Sequence, residues 1–194
     1  MESSNLYTQI GKADAFRKNR LKAARWVLEH PDSIEELLTF VFSADSKLAK
    51  KAAWTLEFVF LEDKSLLYPY LEYFISNISA VKADQVLRPV AHICEHLCVD
   101  HYKNQLTEPE SVFTEKLRNK LSEYAFLWLI SDKKVACKVR AMTCLFYLGT
   151  EFSWIHPELK AIIDRDIHTQ SAGYKARGKH TLRLILRYEK KKRI

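Results

Sequence analysis

The 194-residue chain is 47% hydrophobic and has only 4 glycines and 5 prolines, so it can bury a full core without disulfides or metals and lacks the turn formers of a many-stranded β-sandwich. No window shows strand alternation between turn residues, and no apolar run reaches the length of a signal peptide or a membrane span, so an all-α, soluble, cytoplasmic protein with no membrane partner is expected. The net charge of +7 is uneven, with residues 1–62 summing to 0, 63–130 to −2 and 131–194 to +9, which points to an anionic partner at the C-terminal end.

Residues 13–30 place Phe16, Leu21, Ala24 and Leu28 among lysines and arginines, a pattern that predicts an amphipathic helix ended by Pro31. The segment HPDSIEELLTFVF restarts a short helix, with Asp32 or Ser33 as N-cap and Glu35 and Glu36 in a first turn where the helix dipole favours anions. Asp45 and Ser46 open SKLAKKAAWTLEFVFLED, in which Leu48, Ala52, Leu56 and Phe60 line one face and Lys47, Lys50 and Lys51 edge the other. Ser65 is expected to cap LLYPYLEYFISNI, with Pro69 tolerated near its first turn. Asp84 is expected to cap QVLRPVAHICEHLCV, where Pro89 is deep enough to bend or delay the helix.

Residues 100–106 read as a longer connection, after which Thr107, Pro109 and Glu110 form a capping box for a long helix reaching about Leu127. Asp132 is expected to cap the helix that follows, and Gly149 to stop it in a left-handed conformation. The segments PELKAIIDRDI and GYKARGKHTLRLILRYEKKKRI complete about nine helices joined mostly by short turns. Cys94, Cys98, Cys137 and Cys144 fall at buried helical positions and read as structural thiols. The aromatic residues Trp54, Phe58, Phe60, Tyr68, Tyr70, Tyr73 and Phe74 recur at helical spacing and read as packing layers.

Aligning the second helices of successive pairs brings Lys51, Arg88, Arg140 and Arg177 into register, at spacings of 37, 52 and 37 residues. Asp132, followed by Val139-Arg140 with Cys144, Leu145 and Leu148 beyond, resembles the turn Asp and Val-Arg pair of HEAT repeats. The resemblance implies a right-handed α-α superhelix of about four to five HEAT-like helix pairs, with residues 1–194 as a single domain and 188–194 as a basic tail. The pattern departs from the family where Asp132 lies two residues too far from Arg140, Lys51 replaces Arg, and Ser171 replaces Asp before Arg177. An irregular α-bundle with coincidental spacing is the plainer alternative.

Lys175, Lys179, Arg183 and Arg187 recur every four residues and form a cationic ridge, with Arg177 beside it. Together with Lys134, Lys138 and Arg140 they would make the concave surface of the last repeats basic, fit for an acidic protein or peptide, with nucleic acid as the alternative partner. The ordinary explanation of such a ridge is the polar outer face that a terminal solenoid helix needs for solubility. HEAT-like proteins also include the alkylpurine DNA glycosylases, and Trp128 and Asp132 are similar in spacing to a residue pair of that family, which is the enzymatic alternative.

His92-Ile93-Cys94-Glu95-His96 matches the His-x-x-Glu-His pattern of inverted zinc peptidases. The glutamate which that family places far downstream has no counterpart, and Cys94 and Cys98 point about 200° away from the histidines, so no metal and no cofactor is expected. The chain also lacks a phosphate-binding glycine loop, a Gly-x-Ser-x-Gly elbow and the Ser-Ser-x-Met-Pro loop of the adenylosuccinate lyases. No catalytic residue is assigned, and the expected role is a non-enzymatic binding scaffold of open oligomeric state.

Overall fold

The computed structural model describes residues 5–104 and 112–192, and all regular structure among them is helical. The α-helices are α1 (Asn5–Gly11), α2 (Arg17–Glu29), α3 (Ile34–Val41), α4 (Ser46–Glu62), α5 (Leu71–Asn77), α6 (Asp84–Val99), α7 (Glu115–Ile130), α8 (Val135–Leu148), α9 (Ile155–Asp166) and α10 (Ala172–Lys192). None of the described helices is long and apolar enough to cross a membrane. Packing divides the chain into two compact units, Met1–Ile93 and Cys94–Ile194.

In the first unit α4 is the hub, packed against α1, α2 and α3. Its start is fixed by Asp45, whose carboxylate accepts the backbone N–H of Lys47 at 2.9 Å and of Leu48 at 3.2 Å, as its sequence position foretells. Ala49, Ala52 and Ala53 let neighbouring backbones approach, and Leu56, Val59 and Phe60 behind them are almost fully buried. Each large side chain so buried contributes roughly 1.5–3 kcal/mol. The helix α1 is an addition to the sequence reading; it forms because Leu6 and Ile10, one turn apart, both enter this core.

Pro69 has a larger effect than expected. It divides its segment into 3-10 turns at Lys64–Leu66 and Tyr68–Tyr70, so α5 starts only at Leu71. Asp63 does the capping assigned to Ser65, accepting the Ser65 backbone N–H at 3.0 Å and its hydroxyl at 2.6 Å. By contrast α6 is continuous from Asp84 to Val99 with Pro89 inside it. The proline lies in the second turn, where its missing N–H removes one backbone bond, and Val86, Leu87, Val90 and Ala91 around it are buried.

In the second unit α8 is the hub, packed against α7, α9 and α10. Lys51 and Arg140, aligned in sequence, thus stand on the two helices that organise the two units. Asp100 follows α6 within a π-helical turn, Asp100–Asn104, where it is buried and accepts from the Asn104 amide at 2.9 Å. The proposed capping box of Thr107, Pro109 and Glu110 lies outside the described residues, and Thr114 is the N-cap residue of α7.

Two expectations for α8 are corrected. The helix begins at Val135 behind the N-cap residue Lys134, so Asp132 sits exposed in the preceding bend, two residues ahead of the capping position. Gly149 ends the helix at φ −68°, which is right-handed. The need for glycine there comes instead from the His156 ring lying against it.

Cys137 and the cluster of Cys94, Cys98 and Cys144 are buried, none in a disulfide. Burial raises the Cys94 thiol well above its ordinary range, and a hydrogen bond with Cys98 together with burial does the same for Cys144, which keeps both as inert packing groups.

Candidate anion-binding groove

Where α8 and α10 pack, a groove of about 520 Å³ is lined by Val135, Ala136 and Val139 from one helix and Gly173, Ala176, Arg177 and His180 from the other. Small side chains open it. A β-carbon at Gly173 would meet only Val135 Cγ2 at 3.6 Å, an ordinary contact. Val135 is 40% exposed on the floor, and His180 is exposed at the rim. Arg177 is half-buried, with Nη1 donating to Thr143 Oγ1 at 3.1 Å. That bond uses one of its five donors.

The eight cations expected to act together separate into distinct roles. Lys179, Arg183 and Arg187 are exposed, whereas Lys175 is half-buried. Because four residues advance about 40° beyond a full turn, the ridge winds around α10: Arg183 and Arg187 come round to the stripe of Ala176 and His180, while Lys175 turns away from it. Lys134 is exposed at the N-cap of α8. Lys138 is only 8% exposed and lies on the side of α8 opposite Ala136. Its charge reaches Asp166, which is held below the ordinary carboxylate range first by the hydrogen bonds from Arg165 and additionally by Lys138.

Arg140 is a strut. Its Nη1 lies 2.5 Å from Glu95 Oε2 on α6, with both side chains less than one-fifth exposed. A parallel link occurs in the first unit, where His92 Nδ1 lies 2.6 Å from Glu57 Oε1 on α4. Arg177 with Thr143 repeats the theme between α8 and α10. Polar side chains thus link α4 to α6 in the first unit and α6 to α8 and α8 to α10 in the second.

These links also account for the His-x-x-Glu-His motif: His92 is engaged by Glu57 and Glu95 by Arg140. Among the described residues no three or more His, Cys, Asp or Glu side chains are gathered as a metal would need. Trp128 is 5% exposed and Asp132 stands in an exposed bend, so the glycosylase-like spacing does not present the indole at a surface.

Another polar cluster of this unit joins Arg118, Glu151 and Tyr102. Arg118 donates to both Glu151 oxygens at 2.8 Å, Tyr102 donates its hydroxyl to the same carboxylate, and Arg118 also holds the Phe113 carbonyl. Burial pushes Glu151 up, but the bonds from Arg118 and Tyr102 outweigh it and leave the carboxylate below its usual value. Burial first, and the adjacent carboxylate second, raise the Tyr102 phenol well beyond the ordinary range.

His180, Gly173 and Ala176 were not foreseen as a set, because the sequence signal of the groove is only a lack of bulk on facing turns. Comparison with protein-family models, curated proteins and solved structures finds no match to this chain.

Proposed function

We propose that the chain is a non-enzymatic binding scaffold built from HEAT-like helix pairs, and that its C-terminal unit holds an anionic protein or peptide against α8 and α10. The pairing of α3 with α4, α7 with α8 and α9 with α10, and the packing of second helix on second helix in α2–α4 and α8–α10, support the repeat reading. The observation that carries the functional reading is the groove itself: an apolar floor of Val135, Ala136, Val139 and Ala176, with Arg177 and His180 at its rim and Arg183 and Arg187 continuing the same stripe. An aliphatic side chain fits the floor while neighbouring carboxylates meet guanidinium groups that form bidentate hydrogen bonds. Lys138, almost fully buried, and Arg140, paired with Glu95, are not part of this surface.

The test is fluorescence anisotropy with labelled acidic peptides that carry a single leucine or valine. Arg183→Glu with Arg187→Glu, and separately Ala176→Leu, which fills the groove, are each expected to weaken binding by roughly tenfold or more, about 1.4 kcal/mol. Binding that both variants leave intact would remove the groove from the reading. Tighter, steeply salt-dependent binding of duplex DNA with no peptide binding would replace it by a nucleic-acid surface.

A further inference from the structure

The first unit sums to zero charge over residues 1–62, yet its charges are segregated. Between Ala15 and Leu28 the chain holds five cations and no carboxylate. Folding divides these five into two groups. Arg20 turns inward: Nε donates to the Asp14 carbonyl at 2.7 Å, Nη2 donates to the Ala15 carbonyl at 3.0 Å, and the guanidinium lies 3.8 Å from the Trp54 ring centre on α4. Arg17, Lys18, Lys22 and Arg25 turn outward. All four are exposed, and none makes an ion pair among the described residues.

These four, with Leu21 between them, line a shallow groove of about 330 Å³. Phe16, at the N-cap of α2, is 72% exposed at the end of the same helix. Four like charges on two turns repel one another, and among the described residues only Arg17, over the Phe58 ring at 5.2 Å, has an internal contact to offset this. Exposed Phe16 gains nothing from the core. Both features are satisfied by the same external chemistry.

We infer that the outer face of α2 is a second, independent binding surface, whose ligand is an acidic amphipathic peptide segment that presents carboxylates to Arg17, Lys18, Lys22 and Arg25 and an apolar side chain to Leu21 and Phe16. Nucleic acid fits less well. Trp54 is covered by Arg20 and Phe58 by Arg17 at 5.2 Å, which leaves exposed Phe16, and one ring is not the row of rings on which successive bases stack. A phosphate backbone also has no apolar part for Leu21 and Phe16. The surface lies wholly within the first unit, so its behaviour is separable from that of the α8–α10 groove.

The experiment measures anisotropy of a fluorescein-labelled peptide in which aspartate and glutamate alternate with leucine and phenylalanine at helical spacing, using the full chain. Lys22→Glu with Arg25→Glu, and the milder Lys22→Ala with Arg25→Ala, are expected to weaken binding by roughly tenfold and several-fold respectively, with helicity by circular dichroism unchanged. Phe16→Ser is expected to weaken it as well, and Arg183→Glu with Arg187→Glu to leave a residual phase that only the α2 variants remove. Binding insensitive to the α2 variants overturns the inference, as does equal binding of a peptide whose apolar residues are replaced by serine. Displacement of the peptide by a lower concentration of duplex DNA overturns it in favour of nucleic acid.

Discussion

Gly149 and His156 approach so closely that a β-carbon on the glycine would lie 2.1 Å from His156 Cδ2 and 2.4 Å from Nε2. The ring cannot retreat without loss, because its Nε2–H donates to the Phe146 carbonyl at 2.8 Å and its faces and edge meet Phe146 and Tyr188. Gly149→Ala is therefore expected to destabilise the fold by about 1–3 kcal/mol, as overpacking does. Urea unfolding reads the loss. In a double-mutant cycle with His156→Ala, most of the penalty of the alanine at 149 should vanish, and a fully additive cycle would contradict the contact.

Acidification should act in two windows. Burial is the largest influence on His156 and lowers its pKa below 6.5. The unfolded chain then binds the proton first, so the contribution of the neutral ring is present above pH 6.5 and is lost as pH falls toward the depressed value. Glu151 is also depressed, from 4.5, so its contribution holds above pH 4.5 and is lost as pH falls through the lower native value. Urea midpoints against pH test this: His156→Gln should flatten the upper window and Glu151→Gln the lower one.

Arg140 and Arg183 carry the same charge and should behave oppositely. Arg140→Ala strands a Glu95 carboxylate that is only 17% exposed, at an expected cost of about 1–3 kcal/mol. Arg183→Ala removes an exposed guanidinium of the ridge and should change stability by less than about 0.5 kcal/mol. Thermal unfolding of the two variants side by side checks the division of the cations into struts and surface groups.

Tyr174 is fully buried, its hydroxyl finds no partner among the described residues, and burial pushes its pKa up to about 12. Tyr174→Phe removes the stranded hydroxyl and keeps the ring, so stability should rise by about 1 kcal/mol. A loss of stability in urea unfolding would show that the hydroxyl is satisfied in solution.

Much of the architecture was legible in the sequence because helix patterning and N-caps act over a few residues. The bounds of α4, its Asp45 cap and the buried cysteines follow from local periodicity. The same local logic misassigned Asp132, since the helix starts two residues later than a cap at Asp132 requires, with Lys134 in the capping position, and spacing does not reveal that. The two flexible signals, a cationic ridge and a glycine at a helix end, were visible as residues while their causes were not.

Taken alone, the sequence determined that this chain folds as helices around an apolar core, with its cations concentrated toward the C-terminus and on α2. The tertiary structure decided which cations remain available: Lys138 is buried, Arg140 is held by Glu95 and Arg20 by the Trp54 ring, whereas Arg183, Arg187, Lys22 and Arg25 face outward. The reason is physical. Whether a cation is a strut or a contact depends on the group that packing brings within a few ångströms of it, and those groups come from helices tens of residues away in the chain.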